Sequence, residues 1–371
     1  MQALLFEIFM ALVTLGILVT IHEFGHYWTA RKTGMKVTQF YMGFGPRLWS
    51  FRRGETEYGV RAVPLGAFVR IIGMNRMDEV EPGDEARTYR QKSFPRRLLV
   101  ISAGSIMHML IAIVLLFGVY AIAGEESFSD GARVSQLSAG GPADGAGVLP
   151  GDIVVAVDGA AIDSPAELGE VIRTNQPDDS VVLGVLRNGE LVALTLTLGV
   201  NDNGDALAGI SSGSVFDTID HSIPAAAGNA VTDIFPFAWE STKGVVKVLN
   251  PVNIISHVTG DNDDLSSRPT TLYGVAQVSD DVGESSGWAG MILLLAVRNV
   301  FVGVFNRFPL LPLDGGHAAI AVYERVREAG RGSKQRYFAD VERLMPFAMG
   351  VVTVLVMLMF AGLYLDISQP L

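Results

Sequence analysis

About four runs of 18 or more mainly apolar residues dominate this chain of 371 residues, at roughly 3–30, 98–123, 288–305 and 345–365. Each is long enough to cross the hydrocarbon core of a bilayer. Inside lipid every backbone polar group must be satisfied within the protein, so spanning segments are helices or closed barrels. Continuous apolar runs of this length read as helices, and the expected fold class is an α-helical polytopic membrane protein. The first run has no basic leader and no small-residue cleavage site, so it reads as a retained span rather than a signal peptide.

Ionisable residues interrupt that first run in the string Ile21-His22-Glu23-Phe24-Gly25-His26. On a helix, residues four apart share one face. Two imidazoles so placed can hold one Zn²⁺, with Glu23 beside them as general base. The plainer alternative is two packing histidines and a stray glutamate on a buried helix. Charge inside a membrane span is costly and marks function, which favours the metal. Catalytic zinc takes three protein ligands and keeps a fourth position open. The chain has no cysteine, which excludes a thiolate site, a cysteine nucleophile and a disulfide framework.

The third ligand has to come from elsewhere in the chain. The third apolar run does not end cleanly but continues as Asn306-Arg307-Phe308-Pro309-Leu310-Leu311-Pro312-Leu313-Asp314-Gly315-Gly316-His317. Pro309 and Pro312 break the helix, Gly315-Gly316 lets the chain turn sharply, and helical pattern resumes to about Val326. Broken backbone at membrane depth is tolerated where it lines a cavity or is buried in protein. Asp314 is the carboxylate best placed for the third position, and His317 is the second candidate. His108 is a further ionisable group at membrane depth, in the second run, where packing competes with a metal role.

Charge sets the orientation. Residues 31–97 hold 14 Lys and Arg, whereas residues 124–287 hold 6 against 24 Asp and Glu. The positive-inside rule puts 31–97 in the cytoplasm, together with the basic stretch Arg325 to Arg336. The amino terminus and 124–287 are then outside, and His22 and His26 lie nearer the cytoplasmic side. A net charge of −11 argues against nucleic acid as a partner.

Residues 47–72 look like strands. Arg47 to Arg53 precede a Gly54-Glu55 turn, and Tyr58 to Val63 and Ala67 to Ile72 flank Pro64-Leu65-Gly66. The stretch is too apolar for an ordinary loop. A hairpin dipping into the membrane and a surface sheet both suit its periodicity. Residues 127–200 read as a soluble α+β domain, with strands at Val134 to Leu137, Ile153 to Val157, Val181 to Leu186 and Leu191 to Leu198, and a helix at Pro165 to Arg173. Its strings Gly141-Pro142-Ala143, Ala146-Gly147-Val148, Pro150-Gly151-Asp152-Ile153 and Val157-Asp158-Gly159 resemble a PDZ domain. That resemblance implies a groove that adds a peptide as an extra strand and captures a chain terminus. A strand from the end, Ala206 to Ser211, stands in for the first strand as in circularly permuted bacterial PDZ domains. Residues 222–249 look like an amphipathic helix, lying on the outer membrane face or packed on the PDZ domain.

Four segments follow: 1–123 with two spans, the His-Glu motif and the β element; 127–211, the PDZ domain; 212–287, an extracytoplasmic linker; and 288–371, with the third and fourth spans.

The motif in a first span, a PDZ domain between the second and third, and Asn306 to Gly316 in the third together resemble the site-2 protease family. The resemblance covers nearly the whole chain and is nearest to the bacterial intramembrane zinc proteases that act on anti-sigma factors. It implies one zinc per chain held by His22, His26 and Asp314, with Glu23 as base. It implies that Asn306 binds the substrate backbone, and that the element from Val60 through Gly66, Ala67 and Phe68 to Ile72 is a membrane re-entrant β-hairpin pairing with substrate. The substrate would be a single-span membrane protein already cut outside, and the location a bacterial inner membrane. The family often has Ala-Gly-Pro and then Asn in its second span. Here the stretch is Ala103-Gly104-Ser105-Ile106-Met107-His108, and no role carries over to its departures. Two other classes remain on the residues alone: a non-catalytic PDZ scaffold, which Glu23 argues against, and a broken-helix transporter, which would show internal repeats.

Overall fold

The computed structural model describes every residue except 1, 75–77, 202, 263, 265–266, 332–336 and 370–371. The end of the basic stretch, 332–336, therefore lies outside the described residues. The chain divides into two compact units, Met1–Ala121 with Ile223–Leu371, and Ile122–Ser222.

The first unit opens with α1 (Gln2–Lys32), whose last turn carries Arg31 and Lys32. Cations there complement the helix dipole. Two long strands follow, β1 (Val37–Arg53) and β2 (Thr56–Ile71). They fold on themselves into a small sheet. Gln39 to Met42 oppose Arg70 to Ala67 on one side and Glu57 to Val60 on the other, while Arg47 to Arg53 pair back on Arg61 to Thr56. The segment 67–71 is thus an edge, and Val60 is interior, facing both Met42 and Trp49. The sheet begins at Val37 rather than 47, because Gly43, Gly45 and Pro46 break the alternation that marks a strand in sequence. It packs along α1. Tyr27 packs edge-to-face against Phe40 and Tyr58 at one level, and a Cβ on Gly16 would lie 3.9 Å from the Pro64 carbonyl at the other. Eleven helical residues separate those levels, roughly 16 Å.

After two short 3-10 turns, α2 (Phe94–Ile122) returns through the unit. A core of Tyr27, Met35, Val37, Val100, Ile101 and Ala321 ties α1, the sheet and α2 together.

The second unit holds β3 (Glu125–Leu137), α3 (Pro142–Gly145), β4 (Ile153–Val157), β5 (Ala160–Ala161), α4 (Pro165–Thr174), β6 (Ser180–Arg187), β7 (Glu190–Thr197), β8 (Gly199–Val200), β9 (Ala206–Leu207) and β10 (Ile210–Ile219). The sheet order is β10-β3-β4-β6-β7, with β5 on β4. The late strand β10 pairs antiparallel with β3 along its length. Ser164 caps α4 by accepting from the Glu167 amide, and Glu167 answers by accepting from the Asp163 amide at 2.8 Å; this reciprocal box starts the helix. Asn188-Gly189 turn β6 into β7 with φ of 51° and 85°, the left-handed pair that a tight hairpin needs. Val134, Val154, Leu168, Leu183, Val185 and Leu196 fill the core.

The first unit resumes with α5 (Ile223–Thr232), α6 (Ile234–Val248) and α7 (Pro251–Thr259); α5 and α6 divide the range 222–249, which reads in sequence as one helix. α6 buries Ile234 and Val245 and leaves Phe235, Trp239 and Val246 exposed. Next come α8 (Leu272–Phe305), kinked at Gly287 (φ 59°, ψ −151°), α9 (Asp314–Arg331) and α10 (Met345–Ser368). Asp366, fully buried, accepts from the Thr271 and Gly274 amides at 2.8 and 3.2 Å and so caps α8 from a distant helix. Among the described residues, three helices are long and apolar enough to cross a membrane: Phe94–Ile122, Gly287–Phe305 and Met345–Ser368.

Candidate metal centre

Helical spacing puts His22 and His26 on one face of α1, and both are buried. That face meets α2 at its small residues. A Cβ on Gly104 would collide with both imidazoles, and one on Gly25 would strike Met107 and the Ala103 carbonyl. Glycine at these two positions lets the helices close on the histidines. His26 Nδ1 lies 2.7 Å from the Val100 carbonyl. A carbonyl only accepts, so Nδ1 carries the proton and Nε2 keeps its lone pair.

Asp314 arrives from the far end of the chain. Asn306 to Leu313 form a tight loop, closed by bonds from the Gly315 amide to the Asn306 carbonyl at 2.7 Å and from the Leu313 amide to the Leu310 carbonyl at 2.8 Å. A Cβ on Gly315 would overlap the carbonyls of Arg307 and Phe308, so only glycine permits this fold-back. Arg307 pins the loop to α2 by donating to Ser102 Oγ.

The result is a compact donor cluster. Asp314 Oδ2 is 3.2 Å from Nε2 of His22 and 3.2 Å from Nε2 of His26, and the two Nε2 atoms are 3.1 Å apart. Among the described residues this is the one group of three His, Asp or Glu that could share a metal ion. A lone pair on His26 facing a carboxylate at that distance is unfavourable without a cation or proton between them. Zinc bonds of about 2.0–2.1 Å in a tetrahedron give ligand separations near 3.3 Å, so the donor set fits zinc. His317 is not in the cluster. It lines a neighbouring cavity of about 970 Å³ with Val69, Ile71, Leu311, Pro312 and Glu324. His108 packs beside His22 without joining the donors.

Glu23, half-buried, follows His22 on the same helix, in the neighbourhood of Val69 on β2. Val69 belongs to the edge segment of β2, with Ala67 and Phe68, and no strand among the described residues pairs with its outer side. Gly66 is buried against the Phe44 ring, and Val60 is one strand further in. Asn306 is half-buried and its side-chain amide has no hydrogen-bond partner among the described residues. Sequence reasoning missed the Val100 carbonyl and the Gly104 approach. Ala103-Gly104 was visible as a small-residue step, but nothing local tells which helix it meets.

Comparison with known proteins points to the same class of chemistry. The family model described as peptidase family M50 matches residues 10–352. The zinc metalloprotease Rip1 of Mycobacterium tuberculosis is 31% identical over 97% of both chains. The protein of the same name from Mycolicibacterium smegmatis is 29% identical over 99% of both. A solved PDZ domain of an SdrC-like protein from Listeria innocua overlays 22% of this chain and 93% of its own, at 23% identity and a TM-score of 0.21. With a family model covering nearly the whole chain and full-length relatives that are zinc metalloproteases, the chain belongs to peptidase family M50, the site-2 proteases, and is a zinc metalloprotease.

Proposed function

We propose that the chain is an intramembrane endopeptidase that cuts within the transmembrane segment of single-span membrane proteins, anti-sigma factors among them, after a first cut outside. One observation carries the reading. The donors His22, His26 and Asp314 sit in and beside long apolar helices, next to a strand whose outer edge has no partner among the described residues.

A peptide bond in a helix is hidden by its own hydrogen bonds, so the substrate has to become extended. Segment 67–71 offers an open strand edge for that purpose, with main-chain bonds supplying affinity. Asn306, whose side-chain amide is uncommitted among the described residues, is suited to hold the substrate backbone. Val60 is paired on both sides and takes no part in that edge. Zinc held by His22, His26 and Asp314 supplies Lewis-acid polarisation of the scissile carbonyl and makes water more acidic. Glu23 takes the proton from the attacking water and returns it to the leaving nitrogen.

The re-entrant reading of the sheet is supported by its run along α1 from Tyr27 to Gly16, across the level of the motif, and by the exposed Phe44, Leu48 and Trp49 at its far end. Charge asymmetry supports a cytoplasmic-side active site, with the PDZ domain and amino terminus outside. The apolar faces of α6 and α7 suit the outer membrane surface.

The test is cleavage of a single-span substrate in proteoliposomes by the parent and by Glu23→Gln. The variant keeps its zinc and loses at least about a hundredfold in rate. Parental cutting by the variant would remove Glu23 as the base. Product ends mapped outside the substrate's span would remove the intramembrane reading.

A further inference from the structure

His22 and His26 are both donors, but their outer nitrogens differ. His26 Nδ1 is tied to the Val100 carbonyl. His22 Nδ1 is buried and has no hydrogen-bond partner among the described residues. Metal-ligating imidazoles almost always donate their second N–H, which fixes the ring's orientation. At His22 something else has to fix it.

The ring against His22 is that of His108, with centroids 5.1 Å apart and planes at 45°. His108 is itself immobilised. It is 1% exposed, and its Nδ1 lies 3.0 Å from Oδ1 of Asn299, which is wholly buried on α8. Asn299 Nδ2 donates to the Leu295 carbonyl at 2.9 Å. The flipped amide would set two oxygens against each other there, so the network fixes Oδ1 as the atom facing His108. That oxygen accepts, so His108 Nδ1 carries the proton and the ring has one tautomer and one pose. Gly303 admits this packing: a Cβ there would come within 3.1 Å of His108 Cβ.

We propose that His108, anchored by Asn299, is a positioning residue that holds the His22 ring in its ligating orientation, in place of the outer hydrogen bond His22 lacks. It packs on the ligand and is not one of the donors. The proposal rests on His22 being a zinc ligand.

The experiment uses the full chain in detergent and two readouts that do not involve cleavage: zinc affinity by chelator competition, and the visible spectrum of the Co²⁺-substituted protein. His22→Ala is the control. If it binds zinc as the parent does, the ligand assignment fails and the proposal falls with it. Otherwise His108→Ala should lose roughly tenfold or more in affinity, with shifted Co²⁺ bands. His108→Phe, which keeps a ring against His22, should recover most of that loss. Asn299→Leu, which frees His108 without touching His22, should fall between, and it serves as the test if His108→Ala does not fold. Parental affinity and spectrum in His108→Ala would overturn the proposal. So would equal losses in His108→Ala and His108→Phe, or losses that follow thermal stability while the Co²⁺ bands stay parental.

Discussion

Asp314 and His317 lie within one turn of each other, yet only the carboxylate reaches the two imidazoles. The difference comes from the loop, not from ligand chemistry. Gly315 folds the chain back so that Asp314 starts α9 facing α1, while His317 turns into the wall of the adjoining cavity. Asp314→Ala should therefore strip zinc from the purified protein, and His317→Ala should retain it, with metal content by mass spectrometry as the measure. Equal zinc in Asp314→Ala and the parent would take Asp314 out of the donor set. At this scale the sequence was informative where function is local. His22, Glu23 and His26 could be read because helix geometry alone puts them together. Asp314 could be read only as a candidate beside His317, since its place depends on a loop closing against a helix almost 300 residues earlier. The roles of Gly104, Val100 and Asn299 were not legible. Each contributes through which helix it meets, and spacing within one helix carries no record of its neighbour.

Elements position the site through buried polar links as well as apolar packing. Arg97 at the start of α2 donates to Glu324 on α9 at 2.7 Å, with both side chains 7% exposed, and the other Glu324 oxygen accepts from the Ala339 amide. This pair fixes the helix that begins with Asp314. Glu324→Gln would leave Arg97 buried without its counter-charge and should cost about 3–5 kcal/mol, seen as a lower melting temperature in detergent. An unchanged melt would mean that the pair reorganises freely. In the second unit, hydrogen bonds from the Arg187 guanidinium hold the Asp152 carboxyl below the usual carboxylate range. A depressed folded pKa contributes stability above the unfolded value of about 3.9, and that stability is lost as pH falls through the folded value. Residues 122–222 carry their own core. Expressed alone, they should melt at progressively lower temperature as pH drops below about 4, and Arg187→Met should flatten that dependence while lowering stability at neutral pH. An acid profile unchanged by Arg187→Met would separate Asp152 from acid unfolding. Elements were legible where periodicity is regular, as in β4, β6, β7 and α4. The start of β1 was hidden by its glycines and proline, and the first half of α8 lies in Gly- and Ser-containing sequence with no clear period.

For the whole molecule, the division of labour can be tested by removing a part. Every group proposed for the chemistry lies in Met1–Ala121 or Ile223–Leu371, and the Ile122–Ser222 unit has a separate core. Among the described residues the donor cluster is drawn entirely from the first unit. Its expected task is selection. The PDZ groove that its sequence resembles adds a strand or captures a terminus, which would suit a device that admits a substrate only after its outer portion has been cut away. Deleting 127–200 and bridging with a flexible Gly/Ser linker should therefore leave zinc content unchanged and a short model span cut at a rate within a few-fold of the parent. Substrates that keep an intact outer domain, refused by the parent, should now be cut without prior trimming. Loss of short-substrate cleavage in a folded, zinc-loaded deletion would give the unit a role in the chemistry. Continued refusal of untrimmed substrates would place selection elsewhere, with the strand edge at 67–71 and the helices α5 to α7 as the remaining barriers. The same deletion series also tests orientation. Protease added outside sealed cells should reach 124–287 in the parent, and protection of that segment would reverse the orientation proposed for the site.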